Sequence, residues 1–132
     1  MVEYVRIRML DGSNTVDLTN LNPDVQYVKN NPLFIIPYGS GDQLIFNLKL
    51  LSVRITVTFD LTDGIGAGSN FDKLITMSNK AGGAAINEEV LFDWGNIVWY
   101  VNIESLVMGT KAGKANLLQG CNMVLVPARI YP

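Results

Sequence analysis

Residues 43–61 read QLIFNLKLLSVRITVTFDL. In the first half Leu44, Phe46, Leu48 and Leu50 recur at every second position, and in the second half Leu51, Val53, Ile55, Val57 and Phe59 do the same. Successive side chains of a strand point to opposite faces, so both halves carry the period of β structure. The apolar phase flips between Leu50 and Leu51. A one-residue flip is what a β-bulge, or a strand shared between two sheets, produces. The segment therefore predicts one long bent strand at the corner of a sandwich or barrel. Its Val, Ile and Thr content disfavours a helix.

Toward the N-terminus, residues 2–9 predict a first strand closed by the turn pair Asp11-Gly12, and Thr15-Val16-Asp17-Leu18 a short second one. Residues 20–32, rich in Asn and Pro, read as a long excursion around a brief extended piece, Val25-Gln26-Tyr27-Val28. Leu33-Phe34-Ile35-Ile36 follows and is broken by Gly39-Ser40-Gly41. Toward the C-terminus, residues 63–68 (DGIGAG) form a loop, and the one helix is expected over about 70–81. Ser69 caps it, Asp72 complements its first turn, and Phe71, Leu74, Ile75 and Ser78 share a face. Lys80 and Gly82-Gly83 end it. Residues 90–94 pair through Gly95-Asn96 with 97–108, residues 109–114 turn, and 117–130 form the last strand. The expectation is a single mainly β domain over residues 1–132, an antiparallel β-sandwich or barrel with one flanking α-helix.

Charged residues make up only 17% of the chain, where about 25% is ordinary, while 48% is hydrophobic. Several strands read as apolar on both sides, and only one helix is available to cover a face. A lone antiparallel sandwich keeps one face wet. The second covered face implies neighbouring copies, and a ring is the natural way to repeat a heterologous contact. The net charge of −2 argues against a nucleic-acid-binding surface but not against nucleic acid passing through a channel. Cys121 is the only cysteine, so no intramolecular disulfide forms, and it reads as a small buried hydrophobe. The start has no pattern of a secretory signal, and no apolar run approaches the ~20 residues of a membrane helix. A soluble protein made inside a cell, with no membrane insertion, is expected.

Catalysis is hard to assemble from these residues. The chain has no histidine, which removes Ser-His-Asp and Cys-His arrangements and His-based zinc sites. Asp60, Asp63, Glu88, Glu89 and Asp93 are the candidate carboxylates for hydrolysis, but they fall mostly at turns and strand ends. Asp60-Leu61-Thr62-Asp63-Gly64 matches a calcium loop only faintly and lacks a closing Glu. The glycines of 63–68 precede a helix, yet no Gly-Lys-Ser/Thr follows as a phosphate loop requires. No enzyme activity, cofactor or metal is expected. Contact regions are expected instead: the loop holding Gly64, Gly66, Gly68 and Ser69, the segment around Phe34, the turn holding Lys111 and Lys114, and Ile55 on a covered face. The alternative function is a monomeric β-sandwich carbohydrate-binding module that stacks a sugar on Trp94, Trp99 and Tyr100.

The C-terminal half, residues 71–131, resembles small tail proteins of tailed bacteriophages, related archaeal viruses and contractile injection systems. The shared layout is carried by Phe71-Asp72-Lys73-Leu74, Asp93-Trp94-Gly95, Val101-Asn102-Ile103-Glu104-Ser105-Leu106, Ala112-Gly113 and Met123-Val124-Leu125-Val126. The resemblance implies a tail-tube-like fold forming homo-oligomeric rings, commonly of six, around a channel for genome passage. It implies a tail tube, distal tail or baseplate subunit. Its partners would be other tail or baseplate proteins, with DNA only as passing cargo. The location implied is the virion tail, assembled in the host cytoplasm. The chain departs from a typical tube protein in being short and in lacking an evident long protruding hairpin, for which residues 39–62 or 63–82 would be partial substitutes.

Overall fold

A computed structural model describes residues 4–31, 33–37, 39, 41–47, 52–79, 89–110 and 117–131. Its elements are β1 (Val5–Met9), β2 (Thr15–Asp17), β3 (Asp24–Asn30), β4 (Leu33–Pro37), β5 (Gln43–Asn47), β6 (Ser52–Leu61), α1 (Asn70–Ser78), β7 (Val90–Trp94), β8 (Ile97–Val107) and β9 (Leu118–Ile130). Seven strands form one antiparallel sheet in the order β2-β1-β7-β8-β9-β6-β3, and β4 and β5 form a separate two-stranded sheet. The expected mainly β fold with one flanking helix is what the structure has, as a single sheet curled into a half-barrel.

The curl follows from the alternation of the strands. Val5, Ile7 and Met9 of β1, Val90 and Phe92 of β7, Val57 and Phe59 of β6, and Met123 and Leu125 of β9 are all buried in one core. Val16 from one edge strand is part of it, and Val25 from the other packs against it. A flat sheet would hold those edges six strands apart. Irregular register at Phe59/Leu61 in β6 and at Tyr100/Val101 and Ile103/Ser105 in β8 supplies the bending. α1 lies over the hollow against β8 and β2, inserting Leu74 and Met77. It covers nine residues and ends at a cap on Asn79; residues 80 and 81 of the expected helix lie outside the described residues.

The chain turns from β7 to β8 through Gly95-Asn96, with Trp94 opposite Ile97. Gly95 has φ 62°, which a side chain rarely adopts and which a two-residue hairpin turn requires. No helix among the described residues is long and apolar enough to cross a membrane.

Of the two causes expected for the phase flip in residues 43–61, a bulge or two sheets, the described residues fit the second: β5 and β6 belong to different sheets. The phase flip between Leu50 and Leu51 lies outside the described residues, as does the whole stretch 48–51. What the two apolar phases mark is a change of partner. β6 pairs with β3, Asp24 opposite Thr58 through Asn30 opposite Ser52, and β5 pairs with β4, Leu33 opposite Asn47 through Pro37 opposite Gln43. Both ladders are antiparallel, and the β4–β5 ladder is nested between the strands of the β3–β6 ladder in the sequence. The register of the β4–β5 ladder is displaced by two residues from that of the β3–β6 ladder. The nested pairs draw on part of the 39–62 stretch expected as a partial hairpin, and they begin earlier, at Asp24.

Candidate assembly interface

The double-sided apolar character expected of several strands is concentrated in the β4–β5 arm. β4 reads LFIIP and β5 reads QLIFN, with Phe34 opposite Phe46, Ile35 opposite Ile45 and Ile36 opposite Leu44. Residues of both parities are open to solvent: Leu33 at 49%, Ile35 at 48%, Phe34 at 54% and Ile36 at 40%. Ile45 at 54% and Leu44 at 37% repeat this on the partner strand. The convex face of the seven-stranded sheet is different. It is mixed: Arg6, Arg8, Thr56, Thr58, Asn102 and Glu104 stand there beside Leu91, Val98, Tyr100, Val124 and Val126, with Leu91 and Tyr100 buried.

A second apolar surface opens where the arm leaves the half-barrel. Tyr27, Trp94, Ile97 and Trp99 line a cavity of about 560 Å³ with Gly95 and Asn96. An adjoining hollow of about 340 Å³ shares Tyr27 and Trp99 and reaches Val53, Arg54 and residues 126–130. Trp99 is the hub. Its ring centre lies 6.3 Å from Tyr27, 6.4 Å from Phe92 and 6.4 Å from Trp94. Tyr27 is 47% exposed, Ile97 46% and Ile130 64%, so this mouth is greasy and wet at its rim.

The aromatic platform expected from Trp94, Trp99 and Tyr100 is not assembled. Trp94 and Trp99 share the mouth, but Tyr100 follows Trp99 directly and points to the opposite face. There it is 6% exposed, under the Arg129 guanidinium at 4.5 Å and edge-on to Tyr131 at 5.4 Å. Tyr27, from a distant strand, takes the third place at the mouth.

Ile55 is also displaced from its expected role. It is fully buried within its own chain, opposite Tyr27 on β3 and Leu125 on β9, and so it is a core residue and not a contact residue. Its covered face is covered by the half-barrel itself. Phe34 lies on the exposed arm. Lys111 and Lys114 fall outside the described residues.

The loop holding Gly64, Gly66, Gly68 and Ser69 surrounds a hollow of about 530 Å³ at the start of α1. Its polar groups satisfy one another. The Ser69 hydroxyl accepts from the Asp72 and Gly66 amides and donates to the Gly66 carbonyl at 2.7 Å. Asp63 accepts from the Asn70 amide at 2.9 Å, and Asp72 from the Gly68 amide at 3.1 Å. Two carboxylates of the chain thus fill the helix N-terminus, where a phosphate would otherwise sit.

The other candidate carboxylates are likewise engaged locally. Asp60 accepts from the Gly120 amide at 3.0 Å. Asp93 is 2% exposed, and one of its oxygens accepts from the Nε groups of both Arg6 and Arg8. Glu88 lies outside the described residues. Burial pushes the Cys121 thiol up from its ordinary range, a shift that the Gly109 amide partly offsets. That agrees with an inert buried cysteine.

Sequence reasoning missed the arm and the Tyr27 wall of the mouth. Gly39-Ser40-Gly41 between two apolar runs is a hairpin signal, but it was legible only as a break. Nothing in the sequence near Tyr27 links it to Trp99.

No protein-family model and no curated protein matches the chain. Solved structures do resemble it in fold. A chain of the PVC sheath-tube complex, from the cryo-EM structure of an extracellular contractile injection system in its extended state, is 11% identical with a TM-score of 0.54. The likeness covers 99% of this chain and 88% of that one. A chain of the PVC sheath/tube terminator in the extended state is 14% identical with a TM-score of 0.55, covering 97% of this chain and 91% of the other. The tail-tube-like fold is therefore shared along nearly the whole chain.

Proposed function

We propose that this protein is a non-enzymatic structural subunit of a phage-type tail or injection particle, which assembles into a ring around a channel. The observation that carries the reading is the β4–β5 arm, whose apolar side chains stand open on both faces. A monomer keeps exposed apolar patches to a few hundred Å² because each uncovered Å² forgoes about 25 cal/mol of burial. An arm like this belongs in a contact. The shared fold supports the same reading, since the two similar chains come from a sheath-tube complex and a sheath/tube terminator. On this reading the partners are further copies, six to a ring as the resemblance to tail proteins implies, together with other tail or baseplate proteins. DNA is at most a passing cargo, and the protein resides in the particle after assembly in the host cytoplasm. Light scattering behind size exclusion, with negative-stain images of the same fractions, tests this. Ring-sized or stacked species are expected; a clean monomer at millimolar concentration would sink the reading.

A further inference from the structure

We propose that the aromatic mouth binds a neutral oligosaccharide, a function beyond the assembly reading and independent of it. The mouth is concave, and its volume of about 560 Å³ is that of a small-molecule site. Its walls are the rings of Tyr27, Trp94 and Trp99, with Ile97 beside them. The Asn96 amide and the Tyr27 hydroxyl are its hydrogen-bonding side chains. Among the described residues that line it none is charged, so a phosphate or carboxylate ligand meets no counter-charge there.

The rings are tiled and not pressed together. The Tyr27 and Trp94 ring centres stand 6.3 and 6.4 Å from that of Trp99, their planes inclined to it by 27° and 38°. Atoms in tight face-to-face contact come within roughly 4 Å. Aromatic surface is therefore left for another group. A lipid chain or other wholly apolar ligand gains most from enclosure, and this site is half open, with Tyr27 47% and Ile97 46% exposed. A pyranose suits it better. The axial C–H groups of the sugar make one face apolar, which lies on a ring, while its hydroxyls stay at the edge, in water or against Asn96. The adjoining hollow of about 340 Å³ shares Tyr27 and Trp99 and adds Arg54, which Glu104 holds. The floor thus continues from one hollow into the next, past the footprint of a single sugar, and a planar guanidinium at its edge can bond neighbouring hydroxyls.

Both tryptophans of the chain, Trp94 and Trp99, line the mouth, so tryptophan emission reports on this site alone. The probes are cellotetraose and tetra-N-acetylchitotetraose, with tetragalacturonate as a charged counterpart and a proline decapeptide as a rival for an aromatic groove. A saturable change in emission with a neutral sugar, matched by heat in calorimetry, is expected, and neither signal with tetragalacturonate. Tyr27→Ala should weaken sugar binding about tenfold, the loss of one stacking ring, whereas Tyr27→Phe keeps the ring and should bind like the parent. Ile97→Asp, at the exposed rim, gives a second reading of the same loss should Tyr27→Ala disturb the circular dichroism. Tyr100→Phe, on the opposite face, should leave binding unchanged. Silence with both neutral sugars, equal binding of tetragalacturonate, binding of the proline peptide alone, or parental affinity in folded Tyr27→Ala would each overturn the site. The titration takes the protein in whatever oligomeric state it purifies, so those outcomes leave the assembly reading to the size measurement.

Discussion

Asp93 shows what a single residue does for the convex face. Arg6 and Arg8 stand two positions apart on β1, on the same side of the strand, and Asp93 lies opposite Arg6 on β7. One carboxylate oxygen takes both Nε groups, and the Arg6 guanidinium also lies 5.4 Å from the Tyr4 ring centre. The carboxylate is almost fully buried while the arginine side chains are 41% and 30% exposed. Removing the acid therefore leaves two cations that water can still reach, which limits the penalty. Asp93→Ala should cost about 1.5–3 kcal/mol, the range of hydrogen bonds to charged groups, measured by urea unfolding. Asp17 adds an acid-sensitive contribution. Hydrogen bonds from the Thr19 side chain and amide hold its carboxyl below the usual range, with help from Arg6. Its folded pKa lies below its unfolded one, so its stabilisation is present above the unfolded value and disappears as pH falls through the folded one. Asp17→Asn should lower stability at neutral pH and flatten the acid limb of a stability-versus-pH profile, so that variant and parent converge as pH falls.

Among the elements, the arm and the helix make opposite kinds of contribution. α1 is tied into the core by Leu74 and Met77 and begins on the Ser69 cap. Ser69→Ala should destabilise the fold by about 1 kcal/mol, seen as a lower midpoint in chemical denaturation. Among the described residues the arm contributes nothing to that core. A chain in which Asn-Gly replaces residues 31–51, closing Asn30 onto Ser52, should still unfold cooperatively near the parent temperature but remain monomeric. Loss of folding in that variant would show that the arm is part of the domain and not an appendage. The same contrast explains what the sequence could reveal. α1, the β7–β8 hairpin and the alternation of β6 and β9 were legible because local periodicity and turn residues set them. The helix cap was legible for the same reason. The role of Ile55 and the meeting of Tyr27 with Trp99 were not, because strand order fixes them and β3 reaches β8 only through β6 and β9. The phase change between Leu50 and Leu51 lies outside the described residues; alternation offered a bulge or two sheets as its cause, and only strand pairing, with β5 and β6 in different sheets, favours the second.

For the whole molecule, the balance between charge and grease decides how copies meet. The chain is acidic by two charges, so copies repel each other weakly, and this repulsion is screened beyond about 8 Å at physiological salt. Among the described residues Arg54 pairs with Glu104, and Arg6 and Arg8 pair with Asp93. The apolar surfaces open for contact are the arm strands, 33–37 and 43–47, which hold no charged residue, and the aromatic mouth. Association through them should hold or strengthen as sodium chloride rises toward 1 M. Sulfate, which is excluded from protein surface and strengthens apolar burial, should favour it further. Contacts made by complementary charges would behave in the opposite way, weakening as the Debye length shrinks. Sedimentation velocity across a salt series separates the two. Should the multi-copy species dissolve as salt increases, the arm would not be what holds the copies together, and the contact would have to be sought among the arginines and carboxylates of the convex face.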